Sequence, residues 1–177
     1  MVYFSAEYIL QKINICGEIM FRDITRKKQK ITENEYLDIL ISEKRGVLSV
    51  IGDDGYPYGM PMNHYYNEED GKIYFHCGKT GHRTDALRKC PKVSFCVTDS
   101  GVKKENGWAL DFTSVIVFGK AEFITDKEKI ADISRRISLK FTSDETYIEN
   151  EIRSYLDNTD MFCIEAEHIT GKRVNEA

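Results

Sequence analysis

GVLSVIGDDGYPYGMPMNHYYNEEDGKIYFHC, residues 46–77, is the stretch on which the fold turns. Two Asp-Gly pairs, Asp54-Gly55 and Asp70-Gly71, punctuate its β-rich runs. Such a pair is a strong hairpin signal, because the tight turn needs a positive φ that glycine adopts without steric cost. The spacing predicts strands at 47–52, 57–66 and 72–77, joined as an antiparallel meander. Pro61 lies inside the second run and cannot donate to a ladder, so it belongs at an edge or a bulge. The backbone around Met60, Pro61, Met62 and Asn63 is therefore expected to leave polar groups unpaired on one side. Two readings stay open there: a frayed edge, or an edge whose N–H and C=O groups meet a polar, planar ligand.

Working outward, Thr32-Glu33-Asn34-Glu35 has the form of a capping box and opens a predicted helix over 33–43. Tyr36, Leu37, Leu40 and Ile41 give it one apolar face. Downstream come a helix from about 81 to 89, stopped by Pro91, and a strand at 92–98. A polar connection (99–110) leads into a long strand at 112–124. Thr125-Asp126-Lys127-Glu128 reads as a second capping box before a helix with Ile130, Ile133 and Ile137 on one face. Ser143 is the expected cap of another helix carrying Ile148, Ile152 and Leu156, and MFCIEAEHI alternates as a last strand, 161–169. The fold class is mainly β with flanking helices, a six-stranded antiparallel barrel rather than a parallel α/β sheet.

A net charge of −4 argues against non-specific nucleic-acid binding, which needs basic surface to displace counterions. Cys16, Cys77, Cys90, Cys96 and Cys163 form an odd, scattered set without a CxxC pair, which suits buried thiols in a reducing compartment. No apolar run reaches the ~18–20 residues of a membrane span and no cleavable signal is present, so the reading is cytoplasmic and away from membranes. Residues 1–19 stand apart from the domain at 20–177. Either they precede a true start at Met20, or they form an N-terminal helix packed on the domain or a partner.

GKTGHRTDALRKCP, residues 78–91, gathers glycine and positive charge at a helix start. With Thr80 as N-cap, Gly81, His82 and Arg83 would fill the first turn, whose N–H groups lack helical partners. Lys79, His82 and Arg83 add side-chain donors, so a phosphate would meet charge and geometry together. A solvated basic turn remains the alternative. The four histidines have no metal-ligand spacing, so no metal site is expected. His64 and His168 read as satisfied core or surface residues. His76 differs, because it ends a strand directly before the basic loop and would point into whatever pocket that loop encloses.

Residues 46–97, with SVIVFGKAEFI (114–124) and the closing IEAEHITGK (164–172), resemble the pyridoxamine 5′-phosphate oxidase-like flavoproteins. Within them the chain looks most like the 5-nitroimidazole reductases, the Nim-type resistance proteins. The likeness covers about residues 20–174. It implies a split β-barrel homodimer with one FMN at each subunit interface, the FMN phosphate being the anion at the helix start. By position, Met60, Pro61, Met62 and Asn63 would run beside the flavin ring, with His76 and Cys77 near the cofactor and substrate. Lys79, Gly81, His82 and Arg83 would hold the phosphate, and Thr113, Ser114 and Val115 would complete the site from the partner subunit.

The implied activity is an FMN-dependent reduction of nitroaromatic or other small aromatic compounds, driven by NADH, NADPH or another donor, with His76 orienting the substrate or donating a proton. A non-catalytic flavin- or haem-binding protein, and an oxidase of a pyridoxamine phosphate-like vitamin, are the alternatives. The oxidases proper close with a Trp and an Arg/His-rich segment near the C-terminus. Here the only Trp is Trp108, mid-chain, which argues against pyridoxamine phosphate as substrate.

Overall fold

The computed structural model describes residues 21–103, 105 and 109–174. The segment before Phe21, with the expected start at Met20, lies outside the described residues, as does Trp108. The first helix, α1 (Glu33–Ser42), begins as its sequence predicts. The Thr32 hydroxyl accepts the Glu35 N–H while the Glu35 carboxylate accepts the Thr32 N–H. There follow β1 (Arg45–Ile51), β2 (Pro57–Asn63), β3 (Tyr65–Asn67), β4 (Lys72–Gly78), α2 (His82–Lys89) and β5 (Lys92–Thr98). The chain continues through β6 (Val102–Lys103), β7 (Leu110–Ile124), α3 (Lys127–Leu139), α4 (Glu145–Tyr155) and β8 (Thr159–Val174). The sheet order is β2-β1-β5-β7-β8-β4-β3, with β6 added to β7, and all pairings are antiparallel.

All six expected strands are present, and the class is the expected one: an antiparallel split barrel with flanking helices. The meander, however, is interrupted. The run expected as one strand at 57–66 divides at His64: β2 bonds to β1, and β3 bonds to β4. These are the two edges of the sheet, so the chain crosses from one edge to the other at a single residue.

His64 is fully buried, and its Nε2–H donates to the Leu40 carbonyl at 2.9 Å, satisfying one of the end-of-helix acceptors of α1. Its ring meets Phe95 edge-on at 5.0 Å. Anchored under α1 in this way, it interrupts the ladder. The sheet curls into a barrel that stays unbonded between β2 and β4.

The barrel interior holds Leu48, Val50, Phe95, Val117 and Phe162, with Phe75 stacked on Phe162 at 4.9 Å and edge-on to Phe95 at 5.0 Å. A second cluster lies outside the sheet, where Ile130, Ile133 and Ile137 of α3 cover Tyr74, Met161 and Cys163. β4 is thus covered on both faces. Its alternation puts Phe75 and Cys77 toward the barrel, and Tyr74 and His76 toward the helical layer.

Two caps differ from expectation by one residue. Asp126, not Thr125, accepts the Glu128 and Lys129 N–H groups, and Asp144, not Ser143, accepts the Tyr147 N–H. In each case a neighbouring carboxylate, which also complements the helix dipole, takes the place of a hydroxyl. Arg135 of α3 and Glu149 of α4 are joined by two hydrogen bonds, at 2.6 and 3.2 Å, which fixes the helices to each other. Among the described residues no helix is long and apolar enough to cross a membrane.

Burial, and then the nearby Lys140 charge, push the His64 imidazole down to about 4. Its folded pKa lies below the unfolded value of roughly 6.5, so unfolding takes up a proton between the two. The stability tied to neutral His64 is present above pH 6.5 and is lost as pH falls toward 4, at up to about 1.4 kcal/mol per unit. Denaturation from pH 7 to 4 should show this loss, and His64→Gln, which keeps a donor for Leu40, should flatten it. An unchanged pH slope in the variant would contradict the assignment.

Candidate functional site

The unbonded gap between β2 and β4 forms an open cleft of about 530 Å³, within the range of small-ligand sites. Pro61, Met62 and Asn63 line it from β2, His76 and Cys77 from β4, and Arg83 from the first turn of α2. Pro61 fits because β2 is the sheet edge, where a missing N–H breaks no interior ladder. Arg45 Nε donates to the Asn63 side-chain oxygen at 2.8 Å, which steadies the end of β2.

The start of α2 differs from expectation. Gly81, not Thr80, is the N-cap, with φ of +126°, a region that suits glycine, and it makes no side-chain cap bond. The Thr84 hydroxyl donates back to the Gly78 carbonyl at 3.1 Å and closes the loop on itself. Among the described residues the first-turn N–H groups have no side-chain acceptor.

Arg83 is short of partners. Its Nη1 donates to Met62 Sδ at 2.8 Å, a weak acceptor, and its buried Nε has no partner among the described residues. Arg83 as a whole is half-buried, but a buried donor such as its Nε–H left without a hydrogen bond is costly, and an anion in the cleft could supply the acceptor.

The other predicted anchors disperse. His82 stacks on Tyr58 at 4.3 Å, with Nε2 3.4 Å from Asp53 Oδ2, so it braces the β1–β2 turn instead of lining the cleft. Lys79 lines a separate hollow of about 360 Å³ with Arg88 and Asp157. Met60 is buried in the barrel core. On β7, Val115 is buried in that core, while the Thr113 N–H donates to the Asp99 carboxylate (Oδ1) at 3.0 Å and the Thr113 carbonyl accepts the Asp99 N–H at 3.1 Å. Thr113, Ser114 and Val115 do not line the cleft.

His76 is exposed, on the outward face of β4, and lines the cleft. Desolvation, then the Arg83 charge, hold its imidazole below the ordinary value, so it is neutral at pH 7. Burial pushes the Cys77 thiol up, against a thiolate role.

Three further lining residues, Tyr155, Asn158 and Thr159, come from the α4–β8 junction. Sequence reasoning missed them, because the polar run LDNTD (156–160) reads only as a connection. Among the described residues no group of His, Cys, Asp or Glu is arranged to hold a metal ion.

A family model described as pyridoxamine 5′-phosphate oxidase matches residues 32–173, and the chain belongs to that family. Solved structures share its fold. A conserved hypothetical protein from Mycobacterium tuberculosis aligns with a TM-score of 0.71 at 22% identity, over 85% of this chain and 89% of that one. A candidate 5-nitroimidazole antibiotic resistance protein from Bacteroides thetaiotaomicron gives 0.66 at 21%, over 83% and 90%. An FAD and heme binding protein from Mycobacterium smegmatis gives 0.65 at 18%, over 84% and 74%. No curated protein matches the chain.

Arg83→Met separates the roles of this arginine. Removing a cation with one weak partner should leave the unfolding midpoint unchanged or raised. Affinity for flavin should fall about 10- to 150-fold, the equivalent of losing charge-assisted hydrogen bonds of roughly 1.5–3 kcal/mol. A less stable variant with unchanged flavin affinity would make Arg83 purely structural.

Proposed function

We propose that this member of the pyridoxamine 5′-phosphate oxidase family is an FMN-dependent reductase of nitroaromatic or other small aromatic compounds, in the 5-nitroimidazole reductase branch. The observation that carries this reading is the Arg83 guanidinium, held at a helix start beside an unpaired strand edge, whose one hydrogen bond among the described residues goes to a thioether. FMN offers what these groups lack: a phosphate for the cation and the free N–H groups of α2, and a planar ring edge of donors and acceptors for the β2 main chain. One basic helix start suits one phosphate, which favours FMN over a dinucleotide. The nitroimidazole-resistance description of the Bacteroides relative supports the reductase reading, and the Mycobacterium smegmatis relative, described as binding FAD and heme, supports a flavin in general rather than FMN.

Bound flavin would supply hydride transfer to the acceptor. Arg83 and the first turn of α2 would hold its phosphate, with Gly81 giving the chain close access. The Met60–Asn63 main chain would orient the ring. His76, neutral at pH 7, would position the acceptor through its ring N–H rather than as a standing imidazolium. NADH, NADPH or another cytoplasmic donor would supply the electrons.

Of the three β7 residues, the half-exposed Ser114 would reach the cleft from a second copy of the chain, while Thr113 and Val115, buried in their own barrel, would hold the strand in place behind it. Support for a homodimer comes from the outer sheet face, where Val47, Ile116 and Phe118 stay 44%, 37% and 38% exposed. Val47 pairs with Cys96 and Cys96 with Ile116, so the patch runs unbroken across three strands. Ile116→Glu should give a monomer by light scattering that sheds its flavin. A flavin-loaded monomer would remove the shared site.

The purified protein should be yellow, with flavin bands and no haem Soret band. NADH or NADPH should bleach it, and a 5-nitroimidazole should restore the colour. A colourless protein that takes up no FMN would sink the proposal. His76→Ala should retain FMN yet lose at least about 10²-fold in turnover, and wild-type kinetics would reject its role.

A further inference from the structure

Next to the cleft lies a smaller chamber of about 270 Å³, open on one side to solvent and walled by α3, α4 and the outward face of β4. The two spaces share His76, Tyr155 and Thr159 as walls, so one opens beside the other. Ile137, Ile152 and Leu156 supply apolar surface, while Ser134, Ser138 and Glu151 add polar groups. Ser134 and Ser138 are four residues apart, on one face of α3.

Neither ring nitrogen of His76, neither serine hydroxyl and neither Glu151 oxygen has a hydrogen bond or ion pair among the described residues. The neighbouring Glu149, by contrast, is tied to Arg135. The size is telling as well. An apolar cavity of roughly 150 Å³ holds benzene, and drug-sized ligands occupy about 300–1,000 Å³. A chamber of about 270 Å³ takes one substituted ring, and a dinucleotide does not fit.

We propose that this chamber is the acceptor site, which selects single-ring aromatics bearing an amine or other N–H donor and disfavours carboxylates. The inference rests on the flavin-reductase reading for the term acceptor, but the binding preference stands on the chamber alone. Ring faces lie against Ile137, Ile152 and Leu156. The hydroxyls and His76 meet ring substituents. Glu151, which can only accept hydrogen bonds when ionised, sets the charge preference from the rim. Because Glu151 is exposed, its effect on affinity is small, about two- to fivefold.

Three probes of similar shape test this: 4-nitrobenzylamine, 4-nitrobenzyl alcohol and 4-nitrobenzoate, titrated calorimetrically into the protein as isolated. The amine should bind tightest and the benzoate weakest. Glu151→Gln, an isosteric surface change, should remove the advantage of amine over alcohol. Ser138→Phe, which fills the chamber, should abolish binding of all three while the visible flavin spectrum stays unchanged; Ser134→Leu provides the same test if that variant misfolds. Wild-type affinities in the filled variants, or no amine preference in the native protein, would overturn the proposal. Charge-ordered binding without reduction would instead overturn only the reductase reading, and reduction indifferent to these variants only the chamber.

Discussion

The hydrogen bond from His64 to the Leu40 carbonyl is the constraint from which the rest of the architecture follows. It ties the middle of an extended run to the end of α1 and takes that residue out of the ladder. The strand before it bonds to β1 and the strand after it to β4, so one short crossing spans both edges of the sheet. A barrel built this way cannot close. An unbonded edge exposes N–H and C=O groups that need partners, and here that edge borders a cleft. Lys140 reinforces the same helix end, donating to the Glu43 carbonyl at 2.6 Å.

The site takes its chemistry from what surrounds this opening. The strand alternation of β4 sends Cys77 inward and His76 outward, so a single strand serves both the barrel and the helical layer. The short helix after it begins on a glycine with positive φ and presents its first turn, with Arg83, to the cleft. Arg83 is held near Met62 rather than near a carboxylate, so its charge remains for a ligand. The helices α3 and α4, locked together by Arg135 and Glu149, wall a second space beyond His76. Cleft and chamber therefore meet at His76, Tyr155 and Thr159.

Much of the fold was legible because its signals are local. The Asp-Gly turns, the Thr32 capping box, the β5 run and the isoleucine stripe of α3 each act within a few residues, and each appears where the pattern places it. Pro61 correctly marked an edge. The break at His64 was not legible, because its cause is a carbonyl 24 residues away. The one-residue cap shifts at Gly81, Asp126 and Asp144 turn on backbone angles that composition does not specify. For the site, proximity in sequence misled: His82 and Lys79 adjoin Arg83 in the chain but face Asp53 and the Asp157 hollow. Tyr155, Asn158 and Thr159, distant in sequence, line the cleft through the long return of β8.

The central claim is that the opening between β2 and β4 exists to hold a flavin by its phosphate and its ring edge. A crystal structure of the protein saturated with FMN tests it most directly. The account predicts the phosphate on Arg83 and the first-turn N–H groups of α2, with the ring edge hydrogen-bonded to the main chain between Met60 and Asn63. FMN bound elsewhere, with Arg83 still turned to Met62 and the β2 edge solvated, would contradict it.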